Sequence, residues 1–175
     1  SFTSTSVTVT TPAGSVGNVN VQVETSAGGL SNTLQNAFKY ITAPTVTTVA
    51  ATGLTSTTAQ FNGTVNPGND ATTTSFCYGT TNTVNGAGAL QSCTSRSSTS
   101  LAATTTTSAI SYSQSLSSST TYYFQAIAVN DAGTSYGSVL NFTTPAAPVA
   151  LSITNSSPIT TGQVRVAYNY QFTAT

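Results

Sequence analysis

The fold is decided by residues 116–129, whose sequence is LSSSTTYYFQAIAV. In the second half of this stretch, Tyr122, Phe124, Ala126 and Ala128 recur at every other position and so share one face of an extended chain. A two-residue period of this length is typical of a β-strand. The opposite face also carries apolar residues, which indicates a central strand that a neighbour covers on that side too.

The same alternation recurs on both sides of this strand, in short runs bounded by glycine, proline, asparagine and aspartate. No stretch has a sustained helical period. Phe61 and Val65 share one face of a further run, and the runs outside residues 116–129 lie at 6–10, 18–24, 37–41 and 59–65. Short alternating runs separated by turn residues predict an all-β protein built from antiparallel sheets.

Charge is almost absent from the chain. Its 175 residues include three basic and three acidic side chains and no histidine, so that 3% are charged, against roughly a quarter in an ordinary domain. The cations are dispersed, at Lys39, Arg96 and Arg165. They cannot supply the phosphate-neutralising surface that nucleic acid requires or a polybasic membrane patch.

Catalytic and metal-binding groups are equally scarce. Acid–base catalysis usually depends on histidine or on paired carboxylates, but the three acids, Glu24, Asp70 and Asp131, lie far apart in the sequence. Zinc would lack histidine ligands, and calcium usually collects several carboxylates. We therefore predict a protein that is not an enzyme and has no cofactor or metal.

Hydroxyl side chains take the place of charge, with 38 threonines and 25 serines among the 175 residues. Threonine is β-branched and favours strands, so the solvent face of the sheets is predicted to be neutral and rich in hydroxyls. Such a surface lacks the repulsion that keeps soluble proteins apart. This favours a protein packed in an assembly or covered with sugar, with self-association or neighbouring domains of the same protein as partners.

Two cysteines, Cys77 and Cys93, allow a single intrachain pairing. Their spacing fits two neighbouring strands joined by the loop 80–88, and a disulfide there would contribute about 3 kcal/mol. Two buried free thiols are the alternative. A disulfide and a hydroxyl-rich surface together predict an extracellular or cell-surface location. The chain shows no signal-type apolar run and no stretch of about 20 apolar residues that would insert into a membrane.

Residues 44–145 resemble a fibronectin type III domain of the kind found in bacterial surface and secreted proteins. The resemblance lies in the run LSSSTTY at 116–122, in AVNDAG at 128–133, and in the closing Phe142-Thr143-Thr144. Ser118 stands where the family usually has proline, and Phe61 is the expected substitute for a missing tryptophan. The resemblance implies that Tyr122 is a corner tyrosine with its hydroxyl bonded to nearby backbone; an ordinary core aromatic is the alternative.

The flanking segments resemble parts of two further domains. Residues 1–43 resemble the C-terminal part of an IPT/TIG immunoglobulin-like domain, on the runs SVTVTTPAG at 6–14, VNVQV at 19–23 and AFKYI at 37–41. Residues 146–175 resemble the N-terminal part of an immunoglobulin-like domain of bacterial surface repeats, on Gly162, Ala167, Tyr168, Phe172 and Ala174. The implied fold is a row of tandem immunoglobulin-like and fibronectin type III-like antiparallel β-sandwiches, and the chain is predicted to be a fragment.

A few single residues have more than one candidate role. Asp70 and Asp131 lie in turns, where aspartate is favoured because its side chain bonds nearby backbone; calcium binding is the alternative. Lys39 is predicted to be a solvated surface lysine rather than part of a lysine–asparagine crosslink. Four tyrosines that are candidates for an outward-facing, sugar-binding row are Tyr78, Tyr112, Tyr123 and Tyr136.

These patterns favour a structural, non-catalytic segment of an extracellular surface protein, fibre or filament. One alternative is an adhesin or glycan-binding module, which a contiguous row of exposed tyrosines would support. Another is a set of spacer domains in a secreted hydrolase. Within a filament, strands at the two ends of the chain would be completed by neighbouring subunits, although simple truncation explains the same ends.

Overall fold

A computed structural model describes residues 10–24 and 28–149, and within them every regular element is a β-strand. All strand pairs are antiparallel. The strands, in chain order, are β1 Gly17–Val21, β2 Leu34–Tyr40, β3 Thr45–Thr52, β4 Thr58–Asn66, β5 Thr72–Gly79, β6 Thr94–Leu101, β7 Ser108–Ser115, β8 Thr121–Asn130, β9 Gly133–Tyr136 and β10 Leu140–Thr143.

Strands β3 to β10 form two sheets. The first has the order β3-β4-β7, and the second has the order β10-β8-β5-β6 with β9 also paired to β8. The chain changes sheet between β4 and β5, between β6 and β7 and between β7 and β8, and this packs the two sheets face to face as an immunoglobulin-like β-sandwich. The predicted all-β sandwich class is thereby confirmed.

Strands β1 and β2 form a separate two-stranded sheet that precedes the sandwich. The run predicted at 37–41 corresponds to β2, which begins three residues earlier, and the run predicted at 18–24 corresponds to the shorter β1. The predictions for residues 6–9 and for 150–175 lie outside the described residues.

The core between the sheets follows the alternation of the sequence. Phe61 and Val65 of β4 are fully buried, and so are Phe124, Ala126 and Ala128 of β8. The ring of Phe61 stacks on that of Phe124 with 5.0 Å between centroids. The predicted inward faces of both strands are therefore confirmed. Burial of these large rings supplies much of the apolar area that drives folding.

The outer face of β8 is covered over only part of its length. The prediction of a strand covered on both sides therefore holds at Gln125 but is wrong at Val129. On that outer face Gln125 is 1% exposed, whereas Val129 is 40% exposed. The difference arises because the segment between β5 and β6 folds back over the outer face at Gln125 and leaves the end of the strand bare.

The two sheets approach closely at Thr48 and Gly137. The Thr48 hydroxyl oxygen, from β3, accepts the backbone N–H of Ala126 in the opposite sheet at 3.1 Å. A Cβ at Gly137 would lie 2.7 Å from the backbone nitrogen of Thr48, which is closer than real contacts allow. Glycine is therefore required where the chain leaves β9 for β10.

Candidate functional site

The structure joins Cys77 and Cys93 in a disulfide, with 5.5 Å between their Cα atoms. Cys77 lies on the outer face of β5, directly opposite Gln125 of β8, and Cys93 comes just before β6. The intervening residues 80–92, here called the disulfide loop, are held back against the sheet by this bond. Within the loop, Val84 and Leu90 form an antiparallel bridge.

A turn at Asn85 shapes the tip of the disulfide loop. The Asn85 side-chain oxygen accepts the backbone N–H groups of Ala87 and Ala89, each at 3.0 Å. The backbone N–H of Gly88 donates to the carbonyl of Asn85 at 2.9 Å. Asparagine favours such turns because its short amide reaches nearby backbone groups, so the loop has a defined conformation of its own.

Gln125 connects the disulfide loop to the opposite edge of the sheet. Its Nε2 donates to the carbonyls of Gly88 and of Gly137, each at 2.7 Å. Its Oε1 accepts the backbone N–H of Leu90 at 2.8 Å. The buried amide thus has its donors and one acceptor site in use, as a buried polar group requires.

A groove of about 580 Å³ lies between the disulfide loop and the β9–β10 segment. Gln125 forms part of its lining, together with residues of the loop and of the β9–β10 segment. None of the lining residues is charged: they are Val84, Ala87, Gly88, Gln125, Thr134, Ser135, Tyr136, Gly137, Ser138 and Val139.

The four candidate tyrosines do not form an outward-facing row. Tyr78 and Tyr112 pack against the hydrophobic core instead, and the ring of Tyr78 lies 5.3 Å from that of Phe61. Both point inward because they alternate with outward residues of β5 and β7. Tyr123 and Tyr136 are half-buried, and their register places both on the outer face of the second sheet. Tyr136 lines the groove.

Tyr122 lies at the start of β8 and is mostly buried. Its hydroxyl oxygen accepts the backbone N–H of Ser117, five residues upstream, at 3.1 Å. The ring stacks on Phe142 with 5.9 Å between centroids. The tyrosine therefore combines core packing with a bond to the turn that leads into its own strand.

A second set of polar contacts joins β2 to one end of the sandwich. Lys39 of β2 forms an ion pair with the carboxylate of Asp70. The other carboxylate oxygen of Asp70 accepts the backbone N–H of Asp131 at 3.1 Å. The Lys39 ammonium, together with this N–H, holds the pKa of the Asp70 carboxyl below its ordinary value.

Backbone groups extend this connection. The N–H of Thr42 donates to the carbonyl of Gly68 at 3.0 Å, and the side-chain amide of Asn69 donates to the carbonyl of Tyr40 at 3.2 Å. The amide of Asn130 donates to the carbonyl of Thr42 at 2.8 Å. These contacts and the Lys39–Asp70 pair are called the joint below.

The contacts at this end of the sandwich differ from the sequence predictions for Lys39 and Asp131. Lys39 is not simply solvated, since it is paired with Asp70. In the turn after β8 the side-chain oxygen of Asn130, not the neighbouring Asp131 carboxylate, accepts the N–H groups of Ala132 and Gly133. Between β2 and β3, backbone groups of Thr42 are hydrogen-bonded to the sandwich and Pro44 is fully buried, although the side chains of Thr42 and Ala43 are exposed.

The described part of the chain has neither a cluster of metal-binding side chains nor a membrane-spanning helix. Among residues 10–24 and 28–149, no three histidine, cysteine or acidic side chains lie close enough together to hold a metal ion. No helix suited to crossing a membrane occurs in the same residues. The disulfide is compatible with an oxidising, extracellular compartment.

Comparisons with protein-family models and with curated proteins find no match. Among solved structures, the chain is similar to a long form of the sensor domain of the anti-sigma factor RsgI4 from Pseudobacteroides cellulosolvens, with 22% identity, 62% of this chain and 96% of that domain covered, and a TM-score of 0.42. A solution structure of the same sensor domain shares 21% identity, covering 74% and 97%, with a TM-score of 0.42. A fibronectin type III domain derived from the human KIAA0970 protein shares 12% identity, covering 67% and 85%, with a TM-score of 0.38.

Proposed function

We propose that this chain is a non-catalytic, structural segment of an extracellular surface protein, fibre or filament. In this role the sandwich and the segment before it form a rigid unit that holds a fixed orientation along the assembly. The observation that carries the proposal is the joint, in which an ion pair and several backbone bonds connect β2 to two loops at one end of the sandwich. A flexible linker would need none of these contacts.

Self-association with copies of the same protein supplies the lateral contacts of such an assembly. The edge strands β6 and β7 each have eight residues, and Arg96 is the one charged residue they contain. Edge strands in proteins that stay apart are usually protected by charge, proline or short length. These two edges carry little such protection, which supports a protein that packs against neighbours.

The rigidity of the joint can be tested by comparing the rotational tumbling of β2 with that of the sandwich strands. At neutral pH we expect ¹⁵N relaxation to give the β2 amides the same rotational correlation time and order parameters as the sandwich strands. Lys39→Met removes the ion pair without altering the sandwich, so the order parameters of β2 should fall. Asp131→Asn is the matched control, because that carboxylate is exposed and its backbone N–H is kept.

The same measurement has a predicted pH dependence. Because the pKa of Asp70 is lowered in the folded joint, its contribution is fully present above the ordinary aspartate pKa and is lost as the pH falls through the lower, folded value. We therefore expect β2 to loosen at acidic pH, below about 4, in the wild type but not further in Lys39→Met. Independent tumbling of β2 in the wild type at pH 7 would contradict the proposed rigid unit.

A further inference from the structure

We infer that the groove beside the disulfide loop is a binding site for a neutral oligosaccharide. Such a site would act beside the proposed structural role and does not depend on it. The inference rests on the fixed shape of the groove, on the hydroxyl and apolar groups that line it, and on the absence of charge among the lining residues.

The walls of the groove are held in place before any ligand arrives. One wall is fixed by the disulfide between Cys77 and Cys93 and the other by the pairing of β9 with β8. Gln125 bonds to both walls, through Gly88 and Gly137. A site that needs no ordering on binding loses less conformational entropy, and this benefits a weakly held ligand such as a sugar.

The hydroxyls of Thr134, Tyr136 and Ser138 are available to a ligand. None of the three makes a hydrogen bond to another group in the described part of the chain. Hydroxyls both donate and accept, which matches the hydroxyls of a sugar. The opposite wall contributes the apolar side chains of Val84 and Ala87.

Tyr136 supplies the aromatic surface of the site. The ring is half-buried, and its register opposite Ile127 puts it on the outer face of the sheet. A tyrosine at a wet surface offers an apolar ring and a polar tip together. Sugar rings present an apolar C–H face and a polar rim, so this combination suits them.

The uncharged lining of the groove favours neutral sugars over anionic ones as ligands. Binding of phosphate or carboxylate groups relies on arginine, lysine or clustered backbone N–H donors, and the lining has no charged side chain. A sialylated or uronic-acid sugar would therefore bind no more tightly than a neutral one. The groove is open to solvent along its length, and its volume of about 580 Å³ leaves room for a short oligosaccharide.

The test uses the whole chain with its disulfide intact. Neutral trisaccharides of different composition and linkage, namely cellotriose, maltotriose, mannotriose and N,N′,N″-triacetylchitotriose, are titrated into ¹⁵N-labelled protein, with sialyllactose and a trigalacturonate as anionic comparisons. We expect saturable shifts from at least one neutral sugar, centred on residues 84–88 and 134–139, and no tighter binding of the anionic sugars. No saturable shift with any neutral sugar at about 10 mM, or shifts centred elsewhere, would overturn the inference.

Three variants assign the binding to the groove. Tyr136→Ala should weaken the best sugar about tenfold or more, the equivalent of about 1.4 kcal/mol. Tyr123→Ala is the control, because Tyr123 lies on the same outer face but outside the groove lining. The affinity of this variant for the sugar should stay within about twofold of the wild-type affinity. Ala87→Arg fills the groove from an exposed loop position where it does not disturb the core, so it should also abolish binding. Unchanged affinity in Ala87→Arg contradicts the site even if Tyr136→Ala fails to fold.

Discussion

Replacing Phe61 by alanine should lower the free energy of unfolding by about 3–5 kcal/mol. Phe61 is 0% exposed and lies at the centre of the aromatic core. Four rings have centroids within 6.0 Å of its own, those of Phe76, Tyr78, Phe124 and Phe142. Removing the ring loses its burial energy and leaves a cavity between the two sheets, because rigid neighbours collapse only partly.

Chemical denaturation followed by far-ultraviolet circular dichroism measures this loss, with Tyr123→Ala as the matched control. Tyr123 is an aromatic residue of β8 in the opposite sheet, but it lies on the outer face and is only half-buried. Its replacement should cost about 1 kcal/mol or less. Equal losses in the two variants would mean that the sandwich core is not centred on Phe61.

Replacing Gln125 by glutamate should destabilise the fold by about 3–5 kcal/mol at neutral pH. A carboxylate cannot donate to the carbonyls of Gly88 and Gly137, both of which the native amide binds at 2.7 Å. The change would therefore leave a buried charge facing two acceptors. Burial also raises the pKa of the introduced carboxyl, so the destabilisation is largest above that pKa and shrinks as the pH falls through it.

Gln114→Glu is the matched control for this change. Gln114 is half-buried on β7, and its Oε1 accepts the guanidinium Nε–H of Arg96 at 3.1 Å. A carboxylate at that position keeps the acceptor and gains a charge partner, so unfolding by urea at pH 7 should show a change within about 0.5 kcal/mol. If the two glutamate variants are equally stable at pH 7, Gln125 does not bridge the groove walls as described.

The inward faces of β4 and β8 could be predicted because alternation is a local property of the sequence. Phe61 and Val65 stand out against polar neighbours, and in β8 an unbroken two-residue period runs from Tyr122 through Phe124 to Ala128. Each side chain in a strand points opposite to the next one. The pattern therefore identifies the buried face before any partner strand is known.

The inward positions of Tyr78 and Tyr112 were missed because threonine and serine hide the alternation. In β5 the buried face carries Thr72 and Thr74 as well as Phe76, so polarity does not separate its two faces. Threonine is tolerated there because its hydroxyl finds a backbone partner: that of Thr74 donates to the carbonyl of Thr99 at 2.6 Å. When both faces of a strand are rich in hydroxyl side chains, the sequence indicates only weakly which face points into the core.

The groove and the joint could not be predicted, because both depend on contacts between distant residues. Lys39 and Asp70 are 31 positions apart, and no spacing rule connects a lysine in one sheet to a turn in another. Gln125 is polar, and its burial follows only from the disulfide loop that covers it. The predicted cysteine pairing indicated that a loop existed but not which face of the sheet it covers.

Negative-stain electron microscopy of the native material that contains this chain, without refolding, tests the proposed structural role most directly. We expect straight rods or filaments in which sandwich-sized units recur at a constant spacing, because the joint holds successive segments in one orientation. Dispersed compact particles with no rod or axial repeat would contradict it.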